Sequence, residues 1–402
     1  MARKLKRDLT VEEQLARGPL DLPFLMLVVM LTGIGVIMMF SASYAEALYE
    51  LENPTYYFMR QGLFAVAGLV IMYVVSKINY QTLRWLSVLA LMGSIFLLIL
   101  VKVPGIGDSA GGANRWIRAI GPLPRWQPSE AAKLGVILYF SARLSKRHTE
   151  KKRKFDLRKP SGRVLRFLDH IGFLELLPYG AILGVIALLL LWEPHLSATI
   201  LILAIGASIL FAAGIHLGWF ALGGGLMGAA LWVVANATSY MADRLAIWRD
   251  PWSDMQGDGY QIVQSLYAIG SGGLLGLGLG NSRQKFLYLP ELQNDYIFPI
   301  ICEELGFVGA AMVLVLFALL IIRGYWLALH ARDRFGALLA VGVTTQVAVQ
   351  VFLNIGVVTN LLPPTGISLP FFSYGGTALV IQLVEMGIVL GVSRQIPAPR
   401  AG

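Results

Sequence analysis

Residues 297 to 322, IFPIICEELGFVGAAMVLVLFALLII, decide the fold class. From Phe307 to Ile322 the run carries no charge. As one helix it spans about 39 Å at 1.5 Å per residue, more than the roughly 30 Å of a bilayer's hydrocarbon core. Glu303 and Glu304 interrupt it, and an acid at that depth is either functional or paired. Similar runs, some marginal, lie at 23 to 45, 58 to 76, 80 to 101, 129 to 145, 173 to 192, 197 to 214, 217 to 235, 336 to 358 and 376 to 393. The one at 129 to 145 is the weakest, because it opens with Glu130 and Lys133. With 297 to 322 they predict an all-α polytopic membrane protein of about ten transmembrane helices.

Composition agrees. Of the 402 residues 56% are hydrophobic and 14% charged, with a mean hydropathy of +0.65, against about 25% charged in soluble domains. Lipid covers the apolar outside of a bundle, so residues 1–402 read as a single integral membrane domain. The lone Cys302 excludes an intramolecular disulfide and a thiolate metal site, and reads as a small core residue. The run after Gly18 is longer than a signal-peptide core and lacks an A-x-A-type cleavage site, so the first span is expected to be retained. The net charge of +9 does not indicate nucleic acid, since the basic residues sit in short segments between apolar spans.

Their placement gives the orientation. Arg3, Lys4, Lys6, Arg7 and Arg17 precede the first span, Lys77 and Arg84 follow the second, and ten basic residues lie between Lys146 and Arg166. By the positive-inside rule these are cytoplasmic. An even span number then gives a cytoplasmic tail at 1–22, a basic cytoplasmic loop at 146–172 and a cytoplasmic tail at 394–402, with both termini inside. The segment 236–299 becomes a large extracytoplasmic loop between the seventh and eighth spans. Two outer segments carry positive charge against the rule: Lys102, Arg115, Arg118 and Arg125 in one, Arg244, Arg249, Arg283 and Lys285 in the other. Either long loops tolerate such charges, or these residues form an anion-binding surface.

Four stretches invite chemistry. In the first, 111–133, an aromatic-rich loop meets a helix start at Pro128, and Glu130 and Lys133 share a helix face as an ion pair, structural or functional. The second, 269–285, holds six glycines in eleven residues but neither G-x-G-x-x-G nor G-K-[ST]. It either exposes N–H groups to an anion beside Arg283 and Lys285, or serves tight packing. In the third, 288–306, Asp295 stands at the mouth of the eighth span, as an N-cap or as a carboxylate tuned for proton abstraction. The fourth, 363–376, is too rich in Pro and Gly for a helix and is expected to fold back against the bundle. No H-E-x-x-H occurs, and His195 reads as an interfacial residue rather than a ligand.

The motifs G-A-x-R-W-I, Q-P-S-E-x-x-K, G-Y-Q-x-x-Q-S-L-x-A-I-G-S-G-G, L-P-E-x-x-x-D-x-I-F, E-E-L-G and L-P-x-x-S-Y-G-G stand here in that order. Together they resemble the bacterial shape, elongation, division and sporulation (SEDS) family, which includes FtsW, RodA and SpoVE. The match runs through nearly all the spans and is nearest to the FtsW and SpoVE branch. The chain departs from the family at Gln293, Tyr296, Pro299 and His195, where histidine, phenylalanine, alanine and aspartate are usual.

The resemblance implies a peptidoglycan glycosyltransferase of the bacterial cytoplasmic membrane. Such an enzyme joins lipid II on the outer face and works with a class B penicillin-binding protein and other divisome or elongasome membrane proteins. It carries the catalytic role to Asp295, puts Arg115, Glu130 and Lys133 in the outer cavity, and sets Lys285 and Glu291 beside the aspartate. Positive charge for a pyrophosphate leaving group is expected from Arg115, Arg244, Arg249, Arg283 and Lys285. No cofactor is evident, although a divalent cation, Mg or Mn, fits such chemistry. The competing readings are a lipid II flippase, which needs the same amphipathic cavity, and a non-catalytic scaffold of the cell-wall synthesis complex.

Overall fold

A bilayer leaves backbone N–H and C=O groups no partners except one another, so apolar runs fold as helices. The computed structural model, which describes residues 19–110, 113–119, 125–147, 172–237, 239–257, 259–290 and 292–396, has a helix on each of the ten runs. In chain order they are α1 (Leu22–Leu51), α2 (Tyr56–Lys77), α3 (Leu83–Leu100), α4 (Pro128–Leu144), α5 (Phe173–Trp192), α6 (Leu196–Ala212), α7 (Leu217–Ala237), then α8 (Ser239–Arg249) and α9 (Tyr260–Ser271), and finally α10 (Ile297–Leu329), α11 (Arg334–Val358) and α12 (Gly376–Ser393). Strands β1 (Gly107–Ala110) and β2 (Ala113–Ile117) pair antiparallel between α3 and α4. By length and hydropathy α1, α2, α3 with its leading turn, α5, α10, α11 and α12 qualify as membrane spans; α6 is apolar but only 17 residues long. The all-α polytopic membrane architecture stands.

The segment 236–299 is not an open loop. It holds α8, a 3-10 turn at Pro251–Asp254 and α9. Hydrogen bonds pin these to the C-terminal end of α11: the Ser265 hydroxyl donates to the Val358 carbonyl at 2.7 Å, and the Trp248 and Asn360 side chains each donate to the other's carbonyl at 3.2 Å. The N-terminal tail and most of the basic loop, 148–171, lie outside the described residues.

The α11 helix is the hub, packed against α4, α6, α10 and α12, while α12 lies along α2 and α1 sits between α2 and α10. At one end of the bundle Asp333 caps α11 and accepts from Tyr80 (2.6 Å), Gln81 (3.0 Å) and Arg84 (2.9 Å), and Asp21 caps α1 and holds Arg323 at 2.5 Å. The opposite end carries the candidate site.

Candidate functional site

Asp295 is half-buried one residue before the cap of α10. The cap position is Tyr296, whose side chain makes no capping hydrogen bond, so Asp295 does not itself occupy the N-cap position. Its backbone is fixed from α11, where the Asn354 amide donates to the Asp295 carbonyl at 2.8 Å and to the Ile367 carbonyl at 2.6 Å. Its carboxylate lies against the turn at Gly366: a Cβ there would sit 2.7 Å from Oδ2, so only glycine leaves the carboxylate its place. The whole 363–375 segment is non-helical, with Ile367, Leu369, Phe371 and Phe372 buried, as its Pro and Gly content predicts. Arg244 on α8 donates to the Pro364 carbonyl at 2.6 Å, which brings a guanidinium over the same turn. Burial first, and then the Asp295 charge, raise the Tyr296 phenol's pKa, with Arg244 opposing.

The basic residues upstream divide. Arg283 is exposed and Arg249 is exposed at the end of α8, both open to an incoming anion. Lys285 is not: only 4% of its side chain is exposed, and its ammonium meets Glu304 Oε1 at 3.2 Å and the Ser41 hydroxyl of α1 at 3.4 Å. Its expected role as an anion contact is corrected, because its charge is already matched by a buried carboxylate. Glu303 accepts from the Ser282 hydroxyl (2.5 Å) and from the backbone N–H of Arg283 (3.0 Å). Glu304 is thus ion-paired and Glu303 hydrogen-bonded. Glu291 lies outside the described residues.

The glycine-rich stretch also resolves toward packing. At Gly306 (φ 67, ψ −171) the helical path of α10 breaks, freeing carbonyls and N–H groups that cannot stay unpaired in a membrane interior. The stretch supplies the partners. Leu277 and Gly278 N–H donate to the Glu303 and Glu304 carbonyls at 2.9 and 3.0 Å, and Phe307 and Val308 N–H donate to the Gly273 and Leu274 carbonyls at 2.9 and 3.1 Å. A Cβ on Gly276 (φ +78) would lie 2.2 Å from the Glu304 carbonyl oxygen. These N–H groups are taken by α10 and do not cradle an anion.

The second group gathers around β2 and the start of α4. Lys133 and Glu130 form the expected ion pair at 2.7 Å, with side chains 3% and 13% exposed. Arg115 donates to the carbonyls of Glu193 and Pro194 between α5 and α6. His195 is buried rather than interfacial, and burial lowers its pKa to about 3, helped by the positive charges of Arg115 and Lys133. Burial likewise pushes the neighbouring Glu193 up to about 8 against Lys102 and Arg115. Thr377 at the start of α12 donates its hydroxyl to the Arg125 carbonyl at 3.4 Å.

Glu193 makes a pH prediction. A carboxyl whose folded pKa is raised from 4.5 to about 8 contributes stability that is complete below 4.5 and lost as pH rises through the folded value. The depressed His195 works in the opposite sense, from 6.5 downward toward about 3. Below about pH 6.5 the two oppose each other, so thermal unfolding of the purified protein is expected to move to lower temperature between about pH 6.5 and about pH 8, and Glu193→Gln to flatten that slope. An unaltered slope in the variant rules Glu193 out as its source.

Sequence reading passed over the polar stripe of α11. Gln346, Gln350 and Asn354 recur every four residues on one helix face, all buried. They bond Glu385 (2.6 Å), the Ser368 carbonyl (3.0 Å) and the Asp295 backbone respectively. Amides at that spacing in a membrane helix are the signal that finds them. Gln61 of α2 was missed too; it holds the Ser373 carbonyl at 3.1 Å. Gln293, noted as a departure from the family pattern, donates to Glu46 of α1 at 2.6 Å. Among the described residues no three His, Cys, Asp or Glu side chains gather as an ion site.

Comparison with known proteins follows the same lines. The family profile FTSW_RODA_SPOVE, described as "Cell cycle protein", matches residues 22–397. The chain is 38% identical over 376 residues to "Probable peptidoglycan glycosyltransferase FtsW" of Geobacter sulfurreducens, covering 94% of this chain and 95% of that one. It is 39% identical over 375 residues to "Stage V sporulation protein E" of Bacillus subtilis, covering 93% and 97%. Among solved structures, a chain from "Structural coordination of polymerization and crosslinking by a peptidoglycan synthase complex" superposes with a TM-score of 0.70 at 28% identity, covering 93% of this chain and 98% of that chain. The rod shape determining protein RodA of Thermus thermophilus gives 0.65 at 25% identity, covering 94% and 98%.

Proposed function

Because the chain belongs to the FtsW/RodA/SpoVE family, we propose that it polymerises lipid II at the outer face of the cytoplasmic membrane with Asp295 as general base. It is a multi-pass membrane peptidoglycan glycosyltransferase. The observation that supports Asp295 is its setting: a half-buried carboxylate with its backbone fixed by Asn354, its side chain against the Gly366 turn, and Arg244 above.

In the proposed step the 4-hydroxyl of an acceptor sugar attacks the anomeric carbon of the donor. The new C–O bond forms as the bond to the polyprenyl pyrophosphate breaks, and the hydroxyl proton passes to Asp295. An α-linked donor gives a β-linked product by inversion. The departing pyrophosphate needs positive charge more than it needs a proton, and Arg115, Arg244, Arg249 and Arg283 are the candidates. A half-buried acid at a membrane boundary suits this role, since only one face of the carboxylate has to meet water or sugar. The long apolar tail of the donor is the physical reason for building such an enzyme in a membrane.

The test is to supply labelled lipid II to the purified protein, alone and with a class B penicillin-binding protein, in the presence of penicillin. Glycan chains insensitive to the drug are expected. Translocation of lipid II across vesicles without any polymer points instead to the flippase, and partner binding with neither activity points to the scaffold.

A further inference from the structure

From Lys285 the chain reaches Asp295 ten residues on, just before α10, and Glu304 stands nine residues further, two turns into that helix. Lys285 and Glu304 are joined directly. Lys285 Nζ lies 3.2 Å from Glu304 Oε1, with the two side chains 4% and 0% exposed. Both Glu304 oxygens are 2.7 Å from the Ser41 hydroxyl on α1, and the Ser282 N–H donates to the same carboxylate at 3.3 Å. Beside it, Glu303 takes Ser282 and the Arg283 N–H. Further up, Gln293 is held by Glu46, again from α1, and the Asp295 backbone by Asn354 from α11.

Two charges buried this completely are a poor way to gain stability, because their desolvation offsets most of their attraction and an apolar pair would serve as well. What a buried, hydrogen-bonded pair supplies is a single register. The stretch from Phe286 to Tyr288 has large apolar side chains that are about half exposed, and Leu287 adopts a left-handed φ of 65, so packing alone fixes it weakly. We infer that Glu304, with Lys285 and Ser41, is a positioning clasp that ties the segment before Asp295 to α10 and α1 and thereby sets the depth and direction of the Asp295 carboxylate. It touches no substrate. The inference rests on Asp295 being the base.

The experiment compares Glu304→Gln and the milder Ser41→Ala with Asp21→Asn, which cuts the tie between α1 and Arg323 of α10 at the opposite end of the bundle. Glu304→Gln is expected to lower kcat for lipid II polymerisation roughly tenfold to a hundredfold, with KM within about threefold, as for a misplaced catalytic group. Ser41→Ala is expected to lose several-fold, and Asp21→Asn to lose thermal stability with kcat within about twofold. Trypsin reports on the segment independently of catalysis. Arg283 is exposed and lies between Ser282 and Lys285, both bound by Glu304, so nicking after Arg283 should appear in Glu304→Gln and not in Asp21→Asn. Equal loss of kcat in Glu304→Gln and Asp21→Asn overturns the inference in favour of a purely structural role, and a raised KM at unchanged kcat overturns it in favour of substrate contact. If Asp295→Asn polymerises normally, the base assignment fails and the inference with it. If Asp295→Asn is dead while Glu304→Gln and Ser41→Ala keep full kcat, the inference alone fails.

Discussion

Asp295→Ala is expected to lose glycan polymerisation by roughly a hundredfold to ten-thousandfold, the range a positioned general base supplies, while remaining folded. The fold should tolerate the change because Asp295 is not the N-cap residue of α10, and because Asn354 grips its backbone carbonyl. Thermal unfolding and elution on gel filtration should match the parent protein, and KM for lipid II should change far less than kcat, since a base acts on the transition state. Asp295→Asn keeps the shape and removes the proton acceptor, so it should be as inactive. Asp295→Glu should restore little: a Cβ at Gly366 would already stand 2.7 Å from Oδ2, leaving small room for another methylene. Normal polymer from the alanine variant sinks the assignment.

Gly306→Ala is expected to have the largest effect on stability, on the order of 3 kcal/mol or more, or to abolish accumulation of folded protein. Two costs add. Alanine at φ 67, ψ −171 enters a backbone region essentially reserved to glycine, at a cost of about 1 to 3 kcal/mol. The new Cβ would also lie 2.2 Å from the Gly276 nitrogen and 2.6 Å from the Leu274 carbonyl oxygen, both backbone atoms that no rotamer change can move aside. Relief requires the glycine-rich strap to withdraw, and each buried hydrogen bond it then leaves unmade costs about 1 to 3 kcal/mol. Because the strap leads into the clasp beneath Asp295, kcat should fall in whatever protein survives. Gly62→Ala on α2, where nothing lies within 4 Å of the added carbon, is the comparison and should unfold at or slightly above the parent temperature. A Gly306→Ala protein as stable as Gly62→Ala would show that the strap yields easily.

The same stretch illustrates what could be read in advance. Six glycines in eleven residues announced close backbone approach. They did not say whether the approaching partner was a phosphate or another segment of chain. The partner is the broken turn at Gly306, thirty residues after Gly276, and no local pattern joins those positions. Lys285 misled for a related reason. A lysine in a basic outer segment reads as available charge until the acid that neutralises it, nineteen residues on and inside a membrane run, is brought beside it. His195 was placed at an interface because it follows Glu193 and Pro194 at a break between spans, yet the chain folds that break inward under Arg115.

What the sequence by itself determined is the solvent and therefore the architecture. Apolar runs of bilayer length leave the backbone only helices, the order of motifs identifies the family, and the i,i+3 spacing of Glu130 and Lys133 makes their pair a matter of helix geometry alone. What only the tertiary structure decided is which charges remain for chemistry. Lys285 is consumed by Glu304, the Leu277 and Gly278 N–H groups by α10, and Gln293 by Glu46, while Arg244 is brought over the turn that meets Asp295. The physical reason is that in a membrane interior every charge and every broken helical turn must be answered by a neighbour, and which neighbour answers depends on how distant helices pack.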